Sequence, residues 1–373
     1  MLKTLIYNLV LLFVTSTSCL AMDTHENPPI RIGMSAPFSG NAAQLGQQFR
    51  HGANLVIDQQ NRQGGIGGRK IELVSVDDGY EPLRTVANTR QFVQHLQVFA
   101  LFGYIGTPTT NAVLPILRKH QLPFIAAFTG ADILRQPQDD FIFNLRASYR
   151  EEAAVQSRYL IDTLGLKKIA LLIQADEFGA TLEQLFLEEL HLRQLKPIVI
   201  ARFQRNNLDI AHAAATLQAA QPELVITAGT YQSLARAIQL GQQQNFNPVY
   251  SVVSFSGIQQ LQQQLKPPYQ LYASMVLPDP TDKKSQLVQA YQHALAAQPT
   301  AIASDVGLEG FAAATVLIQA LNRCSSNLTQ ACLTEQLPKQ QLYDFDLSYS
   351  AKTHQASHQI FLYRLTPQGL IGL

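Results

Sequence analysis

The chain reads as an α/β protein of two lobes, each a parallel sheet with helices on both faces. Three observations predict this. Strand-like and helix-like runs alternate almost without interruption from residue 30 onward. The 373 residues exceed what one ordinary hydrophobic core organises. The alternation also breaks near residues 144–149, after which a new strand-helix series begins. With 46% apolar and 15% charged residues the composition is that of a folded globular chain. A formal net charge of +1, with no basic blocks, excludes nucleic acid and anionic membranes as natural partners.

The first strand-helix-strand unit is the most informative. Residues 30–36 (IRIGMSA) alternate apolar and polar, the period of a strand. After Ser39-Gly40, the residues Leu45, Phe49, Ala53, Val56 and Ile57 fall on one helical stripe. The glycines at 64, 65, 67 and 68 end that helix and turn the chain into a second strand, 71–76, which closes on Asp77-Asp78. The loop before the helix lies beside its N-terminus, where free backbone N–H groups favour anions. Further strand-like runs are 98–105, 124–128, 141–145, 168–173, 197–203, 223–228, 249–253 and 271–277. Helical stripes lie between them, such as Leu182-Leu185-Phe186-Leu190 and Leu234-Ala237-Ile238-Gly241. Ser148-x-x-Glu151 is a capping box opening the helix after 141–145. Residues 283–337 are almost wholly helical, and strand-like runs resume at 343–349 and 359–365. A helical block followed by late strands predicts that the chain returns to the first lobe and crosses back, making a hinge. The expected lobes are 30–146 plus 276–342, and 147–275 plus 343–373.

Met1-Leu2-Lys3, an apolar run around Leu9 to Val14, and small residues up to Ala21 have the order of a secretory signal, residues 1–21. Cleavage after Ala21 is the first reading. Lipidation at Cys19 is the weaker alternative, since residue 16 is Ser where a Leu is usual. No later segment has the roughly 20 apolar residues that span a bilayer. A soluble periplasmic protein is expected. Cys324 and Cys332 remain after processing, and in an oxidising compartment a disulfide across this short loop is the expected pairing, with two unpaired buried thiols as the alternative.

In open α/β sheets ligands bind beyond the carboxyl ends of the strands. Those ends carry Gly106 to Asn111 and Thr129 to Asp132 in the first lobe. In the second they carry Asp176 to Gly179, Gly229 to Tyr231 and Ser254 to Ser256. Hydroxyls and free N–H groups dominate the first group, aromatic rings the second. A carboxylate held by donors on one lobe and covered by rings from the other fits that division. The plainer alternative is that Thr107, Thr109 and Thr129 cap helices. Catalysis has little support. No Gly-x-Ser-x-Gly elbow occurs, and no Cys sits in a reactive context. His354 and His358 form a close pair without a third metal ligand, and GGIGGRK at 64–70 lacks the Lys-Ser/Thr of a phosphate loop. Asp77-Asp78 reads as strand-end and helix capping rather than a paired acid and base. No enzyme activity, metal or cofactor is expected.

Residues 30–340 resemble the periplasmic solute-binding proteins of the branched-chain amino acid (leucine/isoleucine/valine-binding) type. The matching stretches are APFSG at 36–40, NRQGGIGG at 61–68, VDDGYEP at 76–82 and FGYIGTPTTNAVLP at 102–115. FTGADILR at 128–135, FNLRASYREE at 143–152 and GLEGFAAA at 307–314 continue the series. The resemblance implies the type I periplasmic binding protein fold, two Rossmann-like lobes joined by three crossovers that close on a ligand. It further implies delivery of that small-molecule ligand to an inner-membrane ABC permease, by a monomer. A periplasmic ligand-sensing partner of a membrane signalling receptor is the alternative. Thr107 falls on the position that grips a ligand carboxylate, with Ala127 and Thr129 on the partner loop and Phe178 and Tyr231 as aromatic contacts. Where amino-acid binders place a Glu for the ligand ammonium, this chain has Ser254. An unpaired buried ammonium is costly, so a carboxylate, amide or aromatic acid is expected ahead of an ordinary α-amino acid.

Overall fold

The computed structural model describes residues 27–136, 138–298, 302–349 and 353–373. The expected leader, with Cys19 and Ala21, lies outside them. The first sheet is built from β1 (Ile30–Ala36), β2 (Ile71–Asp77), β3 (Ala100–Phe102), β4 (Phe124–Ile125) and β5 (Ile142–Phe143). Their order is β2-β1-β3-β4-β5, all parallel. Between them run α1 (Ala43–Arg62), α2 (Pro82–Gln94) and α3 (Thr107–His120). Ile32, Met34 and Ala36 of the interior strand β1 are fully buried, and so is Ser35 between them. A strand covered on both faces needs this near-continuous burial. The turn from α1 to β2 places Gly64, Gly65, Gly67 and Gly68 at positive φ, which is the reason for its glycine content.

The second sheet has the order β12-β11-β10-β9-β8-β6-β7. Its strands are β6 (Ile169–Gln174), β7 (Val199–Phe203), β8 (Leu224–Ala228), β9 (Val249–Val252), β10 (Gln270–Met275), β11 (Phe361–Thr366) and β12 (Gly369–Gly372). They alternate with α4 (Tyr149–Ser157), α5 (Glu177–Leu192), α6 (Ala211–Ala220), α7 (Tyr231–Gln243) and α8 (Ile258–Gln264). A helical block, α9 (Gln286–Leu295), α10 (Asp305–Arg323) and α11 (Gln330–Gln336), intervenes before β11. Each sheet with the helices packed on it is a lobe. The Ser148–Glu151 capping box is complete at the start of α4, with the side chain of each residue bonded to the other's backbone N–H.

Three features differ from the pattern read in the sequence. The runs at 98–105, 124–128 and 141–145 pair over only three, two and two residues. Gly103 and Ala126, both at positive φ, turn the chain out of β3 and β4 early. Residues 343–349 form no strand. Tyr343 adopts positive φ, and the Asp344 carboxylate instead accepts the N–H groups of Gln286 and Leu287 at the start of α9. The alternating apolar residues there pack an extended linker against the core. Finally, the second sheet is not wholly parallel, because β11 runs antiparallel to β10 and forms a hairpin with β12.

Helix α10 joins the late part of the chain to the first lobe. It is buried along most of its length and lies against α1 in direct backbone contact. A Cβ on Gly52 would stand 1.9 Å from the Gly307 carbonyl oxygen, and one on Gly310 2.0 Å from that of Phe49. The chain passes between the lobes after β5, after β10 and before β11. Two of these passes pair with each other, Asn144 N–H donating to the His354 carbonyl and Ala356 N–H to that of Asn144, both at 2.8 Å. Among the described residues no helix is long and apolar enough to cross a membrane.

Cys324, at the end of α10, is disulfide-bonded to Cys332 in α11. In the loop-entropy model a bond of this span contributes about 2–3 kcal/mol. Cys332→Ser is therefore expected to lower the denaturant midpoint, and reductant to have no further effect on that variant. An unchanged midpoint in urea titrations of both forms would refute the stabilising role.

Candidate functional site

The carboxyl ends of the strands in both sheets face each other across a closed, almost solvent-free cleft. On the first lobe, Gly106 has φ +103 and a Cβ there would meet the Tyr80 ring at 2.3 Å. This close approach sets Thr107 at the first turn of α3. The Thr107 and Thr129 hydroxyl oxygens lie 2.8 Å apart, both residues buried, and Thr129 also bonds the Tyr149 hydroxyl at 3.3 Å. Neither hydroxyl caps α3, whose N-cap is Gly106. Thr109 and Thr110 instead return their hydroxyls to carbonyls of the preceding turn, a purely local use.

From the second lobe, Asp176 caps α5 by accepting the N–H groups of Phe178 and Gly179, and so fixes Phe178 at the helix start. The Phe178 ring lies 4.6 Å from Phe255 and 5.6 Å from Tyr149. Phe255 also meets Phe128 at 5.6 Å and Tyr80 at 6.0 Å. Rings from both lobes thus converge on Phe255. Tyr231 stands apart from this cluster, its hydroxyl accepting the N–H of Gln44 in α1 at 3.3 Å. The Ala127 side chain packs in a separate apolar core of the first lobe with Leu114 and Phe124, so only its backbone is near Thr129.

Ser254 lies in a network of charges. Its N–H and hydroxyl both donate to Glu152 of α4 at 2.8 Å, and its hydroxyl oxygen accepts from Arg146. The Arg146 guanidinium lies over the Phe128 ring at 4.5 Å, with Nε 3.4 Å from the Glu309 carboxylate. Ser254, Phe128, Asp305 and Glu309 line a cavity of about 10 Å³ between the lobes. Burial raises Glu309 to about 7, with Arg146 opposing the rise and Glu152 and Asp305 adding to it. Burial likewise raises Glu152 and Asp305. The neutral Ser254 therefore does not make its surroundings neutral: carboxylates from α4 and α10 gather around it. Nothing adjacent in sequence signals this. Glu309 and Glu152 belong to stretches whose pattern is otherwise that of ordinary helix, and Tyr80 and Arg146 likewise carry no local mark of a site, whereas Phe255 lies in the strand-end segment 254–256.

At the mouth of the cleft, Arg205 pairs with Glu81 at 3.0 Å and Asn206 donates to the Gly79 carbonyl at 3.0 Å. Asp77 and Asp78 brace the end of β2 against the β1 strand and the loop after it, and do not cap α2, whose N-cap is Glu81 without a side-chain bond. Asp77 accepts the N–H groups of Phe38 and Gly79, and Asp78 accepts the Ser35 and Thr85 hydroxyls. His354 stacks on Phe143 whereas His358 pairs with Glu151, so the two rings serve different partners. A larger hollow of about 680 Å³ runs along the outer side of α5. It opens to solvent, and its charged groups are already paired, Glu183 with Arg202 and Glu188 with Arg150.

The model of the family described as periplasmic binding protein matches residues 29–369. The chain belongs to that family. The binding protein is 25% identical over 224 residues to an "Amino acid binding protein" of Pseudomonas aeruginosa, an alignment covering 59% of each chain. It thus spans about three fifths of that relative's length. Among solved structures, a possible leucine/isoleucine/valine-binding protein from Rhodopirellula baltica SH 1 superposes with a TM-score of 0.86 at 29% identity, covering 93% of this chain and 97% of the other. An ABC transporter solute binding protein from R. palustris in complex with benzoate shares the fold, with a TM-score of 0.81 at 18% identity and coverage of 92% and 95%.

The sign of the Glu309 effect on stability follows from its raised value. An acid harder to ionise when folded contributes stability below its unfolded value near 4.5, and that contribution is lost as pH rises through about 7. Glu309→Gln should therefore flatten the decline of stability between pH 5 and 7.5 and stabilise the unliganded protein at pH 7.5 by about 1–3 kcal/mol. Urea midpoints of parent and variant at the two pH values test this. Parallel pH profiles would contradict it.

Proposed function

We propose that this binding protein captures a small organic ligand in the periplasm and delivers it to an inner-membrane ABC permease, with no chemistry of its own. The lobes that close on the ligand are residues 30–146 with 276–342, and 147–275 with 343–373, after removal of the 1–21 leader. The observation that carries this reading is the pair of buried hydroxyls, Thr107 and Thr129, opposed by rings from the other lobe at the carboxyl ends of the strands. Two hydroxyl donors suit a carboxylate or carbonyl oxygen, and Phe178 and Phe255 suit an apolar or aromatic body. The ligand class is amino-acid-like, a carboxylate, an amide or an aromatic acid. A relative named for amino acids and a fold neighbour holding benzoate support this range. Tyr231 contributes from the second lobe when the cleft reopens around a ligand, and the Ala127 backbone completes the first-lobe loop.

Calorimetry against a panel of such compounds is the direct test. Thr129→Val should weaken the ligand that binds by roughly tenfold to a hundredfold, the loss of one hydroxyl donor to a charged group. The variant should still fold, its thermal midpoint lowered by a few degrees because Thr107 and Tyr149 lose a buried partner. Phe178→Ala should also weaken binding, through lost contact area. Small-angle scattering should show the open population shrink as ligand is added. Binding unaffected by Thr129→Val would refute the assignment of the hydroxyl pair.

A further inference from the structure

We propose that Asp305 and Glu309 of α10 form the seat for a cationic amine of the ligand, supplying from the first lobe the countercharge that Ser254 lacks. This rests on the interlobe cleft being the ligand site, and narrows the ligand to one that carries a primary ammonium.

Five observations converge. The two carboxylates are four residues apart on one helix and so share a face, where like charges repel unless a cation lies between them. Both residues are at least nine-tenths buried, Asp305 9% and Glu309 6% exposed. Asp305 spends Oδ2 on the Ile258 N–H, while Oδ1 makes no hydrogen bond among the described residues, although the backbone N–H groups of Gln259 and Val306 also face the carboxylate. Glu309 has one charged neighbour within 4 Å among those residues, Arg146 at 3.4 Å. Both line the same cavity of about 10 Å³, together with the Ser254 hydroxyl and the Phe128 ring. A space of that size holds about one water-sized group. An –NH₃⁺ is that size and is a donor without acceptors, which matches walls that offer acceptor oxygens and an aromatic face.

The surrounding charge points the same way. Among the described residues, the Arg146 guanidinium faces three buried carboxylates, Glu152, Asp305 and Glu309. Arg135, also buried, turns away to Gln355 and to the carbonyls of Ala131 and Arg146. Glu152 is already satisfied by Ser254 and Ser274. The acids left without serine donors are therefore Asp305 and Glu309. The seat is rigid, because α10 lies in backbone contact with α1 through Gly52 and Gly310. It also adjoins the hydroxyl pair, since Phe128 directly precedes Thr129 and Ser254 directly precedes Phe255. A second readout follows. An incoming ammonium favours ionised Glu309, which burial holds near 7 against Arg146 and alongside Glu152 and Asp305. Binding should expel a proton and strengthen as pH rises from about 5.5 to above 7.

The test is calorimetry on the mature chain with three matched sets of probes: the standard α-amino acids, their deaminated acids and the corresponding primary amines. The expected result is an amine-bearing binder whose deaminated counterpart binds at least about tenfold more weakly. Glu309→Gln and Asp305→Asn should each erase most of that preference and flatten the pH dependence, while Thr129→Val leaves the preference in place. Asp305 also bonds the Ile258 N–H, so if Asp305→Asn does not fold, the isosteric Glu309→Gln decides. Deaminated acids binding as tightly as their amine-bearing partners would overturn this inference and leave the carboxyl-binding reading intact. An amine ligand indifferent to Glu309→Gln would overturn it too. Binding by none of the three sets would overturn both.

Discussion

The backbone-to-backbone packing of α10 on α1 is the constraint on which the rest of the architecture depends. Gly52 against Gly307 and Gly310 against Phe49 leave no room for a Cβ, so the two helices are locked in one register. That register carries a segment some 250 residues later in the chain back onto the first sheet, and so makes the second and third crossovers necessary. It also fixes where the start of α10 points. Ser304 caps the helix and bonds the Gln48 side chain of α1, and the first turn then faces the second lobe at Ile258. A substitution at Gly52 or Gly310 would therefore act on the cleft as well as on the core, because the same helix serves both.

The cleft divides into two regions of different physics. Around Phe255 it is apolar and aromatic, with rings from both lobes in contact, and burial there favours closure roughly in proportion to area. Around Arg146 it is ionic, and burying charges is costly unless each finds partners. Glu152 finds three from serines, whereas Arg146 keeps two guanidinium nitrogens, Nε and Nη1, without a hydrogen bond among the described residues. One region pulls the lobes together, and the other is left electrostatically incomplete.

Much of the fold was legible because it depends on local period. The strand at 30–36, the glycine turn at 64–68 and the Ser148–Glu151 capping box each have a short-range cause written in consecutive residues. The run at 343–349 shows where such reasoning fails. Its alternation is real, but Asp344 is held by the start of α9 and Tyr343 by a left-handed turn, neither of which a period can register. The placement of the candidate residues was legible only in part. Thr107, Thr129 and Phe178 stand at strand ends and could be read from topology alone. The acids around Ser254 could not, since Glu152 and Glu309 are separated by a full lobe of sequence and meet only through the crossovers.

This split has a consequence for how closure responds to ligand. The contacts at the cleft mouth, Arg205 with Glu81 and Asn206 with Gly79, are partly exposed, and exposed ion pairs are worth about 0–1 kcal/mol each. The aromatic cluster adds apolar burial, but the under-compensated carboxylates subtract from it. Contributions of opposite sign narrow the gap between open and closed forms, and the narrower that gap, the smaller the differential affinity that moves the population. On the proposed function, a ligand that satisfies the hydroxyl pair, fills the aromatic wall and sits against Asp305 and Glu309 would engage all three features only once the lobes have closed around it. Selectivity and closure then have the same origin. A compound that lacks one of the complementary groups leaves a buried polar atom unpaired, and the closed form loses the advantage that would have held it.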